Sequence, residues 1–166
     1  MKAVNKILET LEELIANKLI KSKKTIAVAE SCTGGLLSKR LTDIPGSSYY
    51  IKLNVITYSN EAKHKLLNIP NKILKTRGAV SPQIAALMAK NIKQLAGTDY
   101  GISITGIAGP GGGSKAKPVG LVYFGFAKGK NVQTKKMQFG QNSTRDEIRF
   151  LATQFALNWL RKKLYK

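Results

Sequence analysis

The chain has 166 residues, 43% of them hydrophobic and 22% charged, with 28 basic against 9 acidic residues for a formal net charge of +19. This suits one globular domain with its own core and excludes a disordered chain. A single cysteine, Cys32, and a single histidine, His64, exclude an internal disulfide framework and any metal centre built from several of either, and leave a Ser-His-Asp triad only one candidate base.

Val4, Ile7, Leu8, Leu11, Leu14, Ile15 and Leu19 recur at three- and four-residue spacing, which predicts an amphipathic first helix. Residues 25–29 read as a buried strand, Glu30-Ser-Cys-Thr-Gly-Gly35 as a turn, and residues 36–44 as a helix stopped by Pro45-Gly46. A second strand is predicted over 53–58, with Ser59 as the N-cap of a short helix through Leu67. The stretch holding Pro70 and Gly78 reads as a loop into Ser81-Pro82, an N-cap followed by proline at the first helical position. Ile84, Leu87, Met88, Ile92 and Leu95 carry that helix to Gly97.

A third strand over 100–105 precedes the glycine-rich segment 106–113. Residues 119–127 and 132–139, joined by Lys128-Gly-Lys-Asn131, read as a hairpin. The last helix opens with the capping-box spelling Thr144-Arg-Asp-Glu147 and carries Ile148, Leu151, Ala152, Phe155, Ala156, Trp159 and Leu160 on one face. No internal repeat or linker interrupts the pattern. The expectation is one α/β domain over 1–166, a three-layer α/β/α arrangement around a mixed, mostly parallel sheet.

The basic excess is dispersed. Residues 1–24 hold six basic and three acidic residues, 52–77 six and one, and 128–166 ten and two; the longest basic run is the triplet Arg161-Lys162-Lys163. A solvated basic surface is the ordinary reading of such a distribution, with a nucleic-acid face as the alternative. Glu9, Glu12 and Glu13 sit where a signal peptide would be apolar, and the longest strongly apolar stretch, near 121–127, is far short of the ~20 residues of a membrane span. A cytoplasmic protein with no membrane association is expected.

Three segments share one layout, a buried strand running into small or polar residues: 29–35, 57–60 and 104–106. In open α/β sheets ligands bind beyond the carboxyl ends of strands. If these three strands are parallel neighbours, Ser31, Tyr58 and Thr105 converge on one rim; otherwise each hydroxyl simply caps a helix or turn. Eleven of the 15 glycines lie from Gly97 to Gly140, and the 106–113 loop can form an anion-binding nest, although it matches neither a Walker A loop nor a Rossmann crossover.

Arg145 falls in the first turn of the last helix, where the dipole disfavours a cation by roughly 0.3–1 kcal/mol. It meets an anionic ligand, pairs with a carboxylate such as Glu30, Asp146 or Glu147, or simply points into water. Lys63 falls near the start of a helix beside Lys65, where the helix end, the like charge and partial burial would favour a neutral amine able to take a proton from serine. The competing reading is one more solvated lysine. Cys32, one residue into the turn, is expected to point away from Ser31, and His64 to face solvent.

Taken together, Ala29-Glu-Ser-Cys-Thr-Gly-Gly35, Thr57-Tyr-Ser-Asn-Glu-Ala-Lys63, Gly78-Ala-Val-Ser81, Thr105-Gly-Ile-Ala-Gly-Pro-Gly-Gly-Gly113 and Lys117-Pro-Val-Gly120 resemble the CinA C-terminal domain family over about residues 5–162. The resemblance implies an amidohydrolase that turns nicotinamide mononucleotide and water into nicotinate mononucleotide and ammonia, with no metal or cofactor. It implies Ser31 as nucleophile, Lys63 as its base and Tyr58 as the residue holding or relaying the proton. Thr105 and Arg145 fall on positions implied to orient the substrate and bind its phosphate. Gly34 and Gly35, with Gly106, Gly109 and Gly111 of the glycine loop, become candidates for an oxyanion hole and a mononucleotide cradle. A homodimer is a further expectation. The remaining alternatives are a nucleotide-binding module without turnover and a basic nucleic-acid-binding protein.

Overall fold

A computed structural model describes residues 9–140 and 142–165. The elements are α1 (Leu11–Lys21), β1 (Ile26–Glu30), α2 (Leu36–Thr42), β2 (Ile51–Ile56), α3 (Asn60–Leu67), α4 (Asn71–Arg77), α5 (Pro82–Ala96), β3 (Tyr100–Gly106), β4 (Leu121–Lys128), β5 (Asn131–Gln138) and α6 (Arg145–Leu164). Val4, Ile7 and Leu8 of the predicted first helix lie outside the described residues. Helix α1 begins after Thr10, whose hydroxyl accepts from the Glu13 amide while the Glu13 carboxylate accepts from the Thr10 amide.

The five strands form one sheet in the order β2-β1-β3-β4-β5. β1 is parallel to both β2 and β3, and β4 is antiparallel to both β3 and β5, so four of the five strands point the same way. Every residue of β1 is buried, as a central strand covered on both faces requires. Ile26 and Val28 join a core with Leu19 of α1, Leu37 of α2 and Leu160 of α6. Ala27 and Ala29 face the other way, onto Leu67 of α3, Leu74 of α4 and Ile84 and Met88 of α5. These are the three layers expected, and among the described residues no helix is long and apolar enough to cross a membrane.

Helix α5 lies unusually close to the sheet. An added Cβ at Gly101 would stand 2.1 Å from the Ala89 carbonyl oxygen, and one at Gly125 would stand 2.2 Å from that of Ala85. Ser103, opposite Gly125, donates to the same Ala85 oxygen at 2.7 Å. Only glycine allows such an approach of helix backbone to strand.

Two departures from expectation stand out, the other element ends shifting by one or two residues. Residues 71–77 form α4 instead of loop, because Leu74 and Ile73 seat against the core under α5. The second strand runs two residues earlier than expected, since its pairing with β1 starts at Ile51 and ends at Ile56. Thr57 and Tyr58 therefore lie beyond the strand, on the rim where the carboxyl ends of β2, β1 and β3 stand side by side.

Candidate active site

At that rim a cavity of about 240 Å³ is lined by Ser31, Cys32, Tyr58, Lys63, Thr105 and Arg145, with Ala79, Val80 and the 106–112 backbone. The chain leaves β1 for β2 on one side and then crosses back to β3 on the other, so strand order switches at β1, which is where open α/β sheets leave a crevice.

Ser31 follows the last residue of β1 on a turn held from below by Glu30. The Glu30 side chain is completely buried and accepts five hydrogen bonds. They come from the Thr33 hydroxyl (2.6 Å), the amides of Gly35 and Leu37 (3.1 Å each), and the amide and hydroxyl of Ser38 (2.8 and 2.6 Å). Because the N-cap position of α2 is Gly35, which has no side chain to offer, this carboxylate caps the helix in its place and meets the positive end of its dipole. Arg149 closes the turn from α6, donating from Nε and Nη2 to the Thr33 carbonyl at 3.3 and 3.1 Å.

Lys63 occupies the first turn and a half of α3, which starts from the Ser59 cap as expected. Its side chain is 1% exposed. Nζ lies 3.0 Å from Ser31 Oγ and donates to the Thr57 carbonyl at 2.6 Å. The Thr57 amide in turn donates to the Glu30 carbonyl at 2.8 Å, so the residue before the serine and the residue anchoring the lysine are tied together. Burial pushes the Lys63 amine down to about 8, with a small opposing contribution from Cys32. No carboxylate touches it.

The other expected site residues separate into two groups. Thr105 is buried and lines the cavity, its hydroxyl donating to the Ala79 carbonyl at 2.9 Å. Arg145 donates from Nη1 to the Gly109 carbonyl at 2.7 Å and from Nη2 to the Tyr58 hydroxyl at 2.6 Å, and pairs with none of Glu30, Asp146 or Glu147. Tyr58, 60% exposed, is thus joined to Arg145 at the cavity mouth and makes no hydrogen bond to Ser31 or Lys63. Gly106, Gly109 and Gly111 line the cavity, and Gly111 has open space where a side chain would stand.

Gly34 and Gly35 do not line it. The Gly34 amide donates to the Ser31 carbonyl and that of Gly35 to Glu30, so neither is left for an oxyanion; their positive φ angles of 60° and 96° shape the turn instead.

Cys32 stands at the cavity wall but is buried and belongs to the same core as Leu37 and Ile148. Burial pushes its thiol up to about 12, which keeps it protonated and weakly nucleophilic. His64 is exposed, with Nδ1 2.9 Å from the Ile69 carbonyl oxygen. Among the described residues, no three His, Cys, Asp or Glu side chains gather into a possible metal site. From the sequence Glu30 is only a possible partner for Arg145, and Arg149 has no assigned part. The available signals were an acid ending an otherwise apolar strand, and a second arginine four residues after Arg145, on the same helix face.

Residues 8–164 match the family described as the CinA C-terminal domain. Over 156 residues the chain is 51% identical to a CinA-like protein of Syntrophomonas wolfei and 45% identical to a CinA-like protein of Geotalea uraniireducens; each match covers 94% of this chain and 37% of the relative's length. The fold superposes on the crystal structure of competence/damage inducible protein CihA from Agrobacterium tumefaciens with a TM-score of 0.86 at 37% identity, covering 96% of this chain and 99% of that one.

Proposed function

The chain belongs to the CinA C-terminal domain family, and from that premise we propose that it is an amidohydrolase converting nicotinamide mononucleotide and water to nicotinate mononucleotide and ammonia. The observation that carries the chemical half of this reading is the 3.0 Å approach of a buried, depressed lysine to a serine at the end of β1. An amide is a poor electrophile, so its hydrolysis needs an activated nucleophile and an acid for the departing nitrogen. Neutral Lys63 takes the Ser31 proton as the serine oxygen bonds to the amide carbon. The resulting ammonium hands that proton to the nitrogen as the C–N bond breaks, releasing ammonia and leaving an ester on Ser31. Water then adds to the ester carbon, giving its proton to Lys63; as the ester C–O bond breaks, Lys63 returns that proton to the serine oxygen.

Substrate identity rests on the family resemblance together with the electrostatics of the mouth. Arg145 and Tyr58, linked to each other, stand where a phosphorylated ribose would emerge from the cavity, and the bare Gly111 leaves it room. We assign these two residues to substrate orientation and Thr105 to shaping the wall, with a proton relay through Tyr58 drawing no support from its bonds. The 240 Å³ enclosed suits a pyridine ring and its amide, with the ribose phosphate outside. The test is ammonia release from nicotinamide mononucleotide by the purified chain. Release by the wild type, abolished in Ser31→Ala and in Lys63→Met, is the expected result; no release above the Ser31→Ala background overturns the proposal.

A further inference from the structure

The helices on the α6 side do not reach across β5, the edge strand, and a cleft of about 770 Å³ opens between that strand and the C-terminal half of α6. Its floor is apolar, made of Met137, Phe155 and Trp159, and its rim carries Lys135, Lys136, Lys162 and Lys163. A second cavity, of about 290 Å³, continues it toward the β4–β5 turn, sharing Lys163 and adding Lys128. Neither cavity has a carboxylate among its lining residues, and neither shares a residue with the candidate active site. The second lies toward the opposite end of the sheet, because Lys128 pairs with Tyr100 at the start of β3 whereas the active-site cavity sits beyond Gly106 at its finish.

Nothing neutralises this face. None of the five lysines forms an ion pair among the described residues, and from Tyr100 to the last residue the only acids are Asp146 and Glu147, in the first turn of α6 at its far end. Lys163 is held at the junction of the two cavities by the Gln133 side-chain oxygen and lies 5.9 Å over the Trp159 ring. From Asn131 to Lys136 the lysine-rimmed cleft follows β5 for about 17 Å.

We propose that this cleft binds single-stranded nucleic acid. Ammonium groups along two walls suit a run of phosphates, and an apolar floor with the half-buried Phe155 gives unpaired bases a surface to lie against, the combination by which strand-tracking grooves work. A duplex would present phosphates to the rim and leave the floor unused. An acidic peptide would satisfy the lysines and have no need of the aromatics. The site also accounts for charge that a single substrate phosphate does not call for.

Trp159 is the only tryptophan of the chain, so its fluorescence reports this cleft alone. Titration with an oligothymidylate of about 12 nucleotides, followed by Trp159 emission and by anisotropy of a labelled strand, should give one saturable transition. With four or five phosphates contacted, affinity should fall about 50- to 130-fold between ~50 and ~200 mM salt. Lys162→Glu/Lys163→Glu should weaken binding at least ~10-fold and flatten the salt dependence, whereas the charge-matched Lys72→Glu/Lys75→Glu on α4 should cost far less. Far-ultraviolet dichroism and thermal unfolding of both variants confirm that they fold. Equal losses in the two variants, no change in Trp159 emission, or equal affinity for polyglutamate or for duplex of the same length would each overturn the proposal.

Discussion

In the proposed reaction the Ser31–Lys63 pair works only if the amine is neutral part of the time. With the lysine pushed down to about 8, about a tenth of it is neutral at pH 7 and half near pH 8. We expect kcat/KM for nicotinamide mononucleotide to rise with pH through about 8 and then level; Lys63→Arg, always charged, should lose activity by on the order of 10²–10⁴. A flat profile from pH 6.5 to 9 in the wild type would remove Lys63 from the base role. The same burial costs stability. Since the folded state holds the amine below its ordinary 10.5, protonating it destabilises the fold at low pH, and stability recovers as pH rises from about 8 to 10.5. The displacement corresponds to about 3 kcal/mol, of which the lost bond to the Thr57 carbonyl offsets about 1. Lys63→Met should therefore be about 2 kcal/mol more stable than wild type at pH 7, an advantage that fades above pH 8 in denaturant titrations. Cys32→Ser should keep activity within a few-fold, its thiol being protonated throughout the working range. Ser31 and Lys63 could be named from the sequence because their flanking strings resemble a known family. Their 3.0 Å separation could not, since they lie 32 positions apart and the chain between them must fold to bring them together.

Among the elements, those with explicit punctuation were legible. Thr144 and Glu147 cap α6, Ser81 and Pro82 open α5, and Ser59 opens α3, each where the sequence put it. Helix α4 was not legible: its Pro70 and Gly78 read as a loop, while the contacts that make it helical come from distant residues of the lower core. The cap of α2 was also hidden, because the capping carboxylate lies five residues before Gly35 on the preceding strand. Glu30→Gln keeps the shape and exchanges one acceptor oxygen for an amide that faces donors. It should cost about 2–3 kcal/mol of unfolding free energy and reduce kcat by loosening the serine turn. Unchanged stability and kcat would mean that Arg149 and the backbone hold the turn without it.

For the whole molecule, the alternation of strands and helices with a closing hairpin led to the α/β class and a mixed sheet, both of which the structure has. Strand order was not readable, since parallel neighbours are chosen by crossovers that leave no local mark; β1 between β2 and β3 is what gathers the three rim segments. Charge was legible as a total but not as a place, because Lys135 and Lys136 are far from Lys162 in the chain and meet it only across the cleft.

The two bare glycines under α5 have a mechanical corollary. With the Ala85 and Ala89 carbonyls resting on Gly125 and Gly101, no cushion of side chains lies between helix and strands there, so the sliding of packed layers by which many enzymes widen a cleft is blocked at two points. The Thr105 hydroxyl fastens Ala79, just ahead of α5, to the same unyielding block. If the cavity takes a substrate as proposed, admission and release would fall to the glycine loop and to the clasp Arg145 makes on it at Gly109, a latch on an otherwise fixed frame.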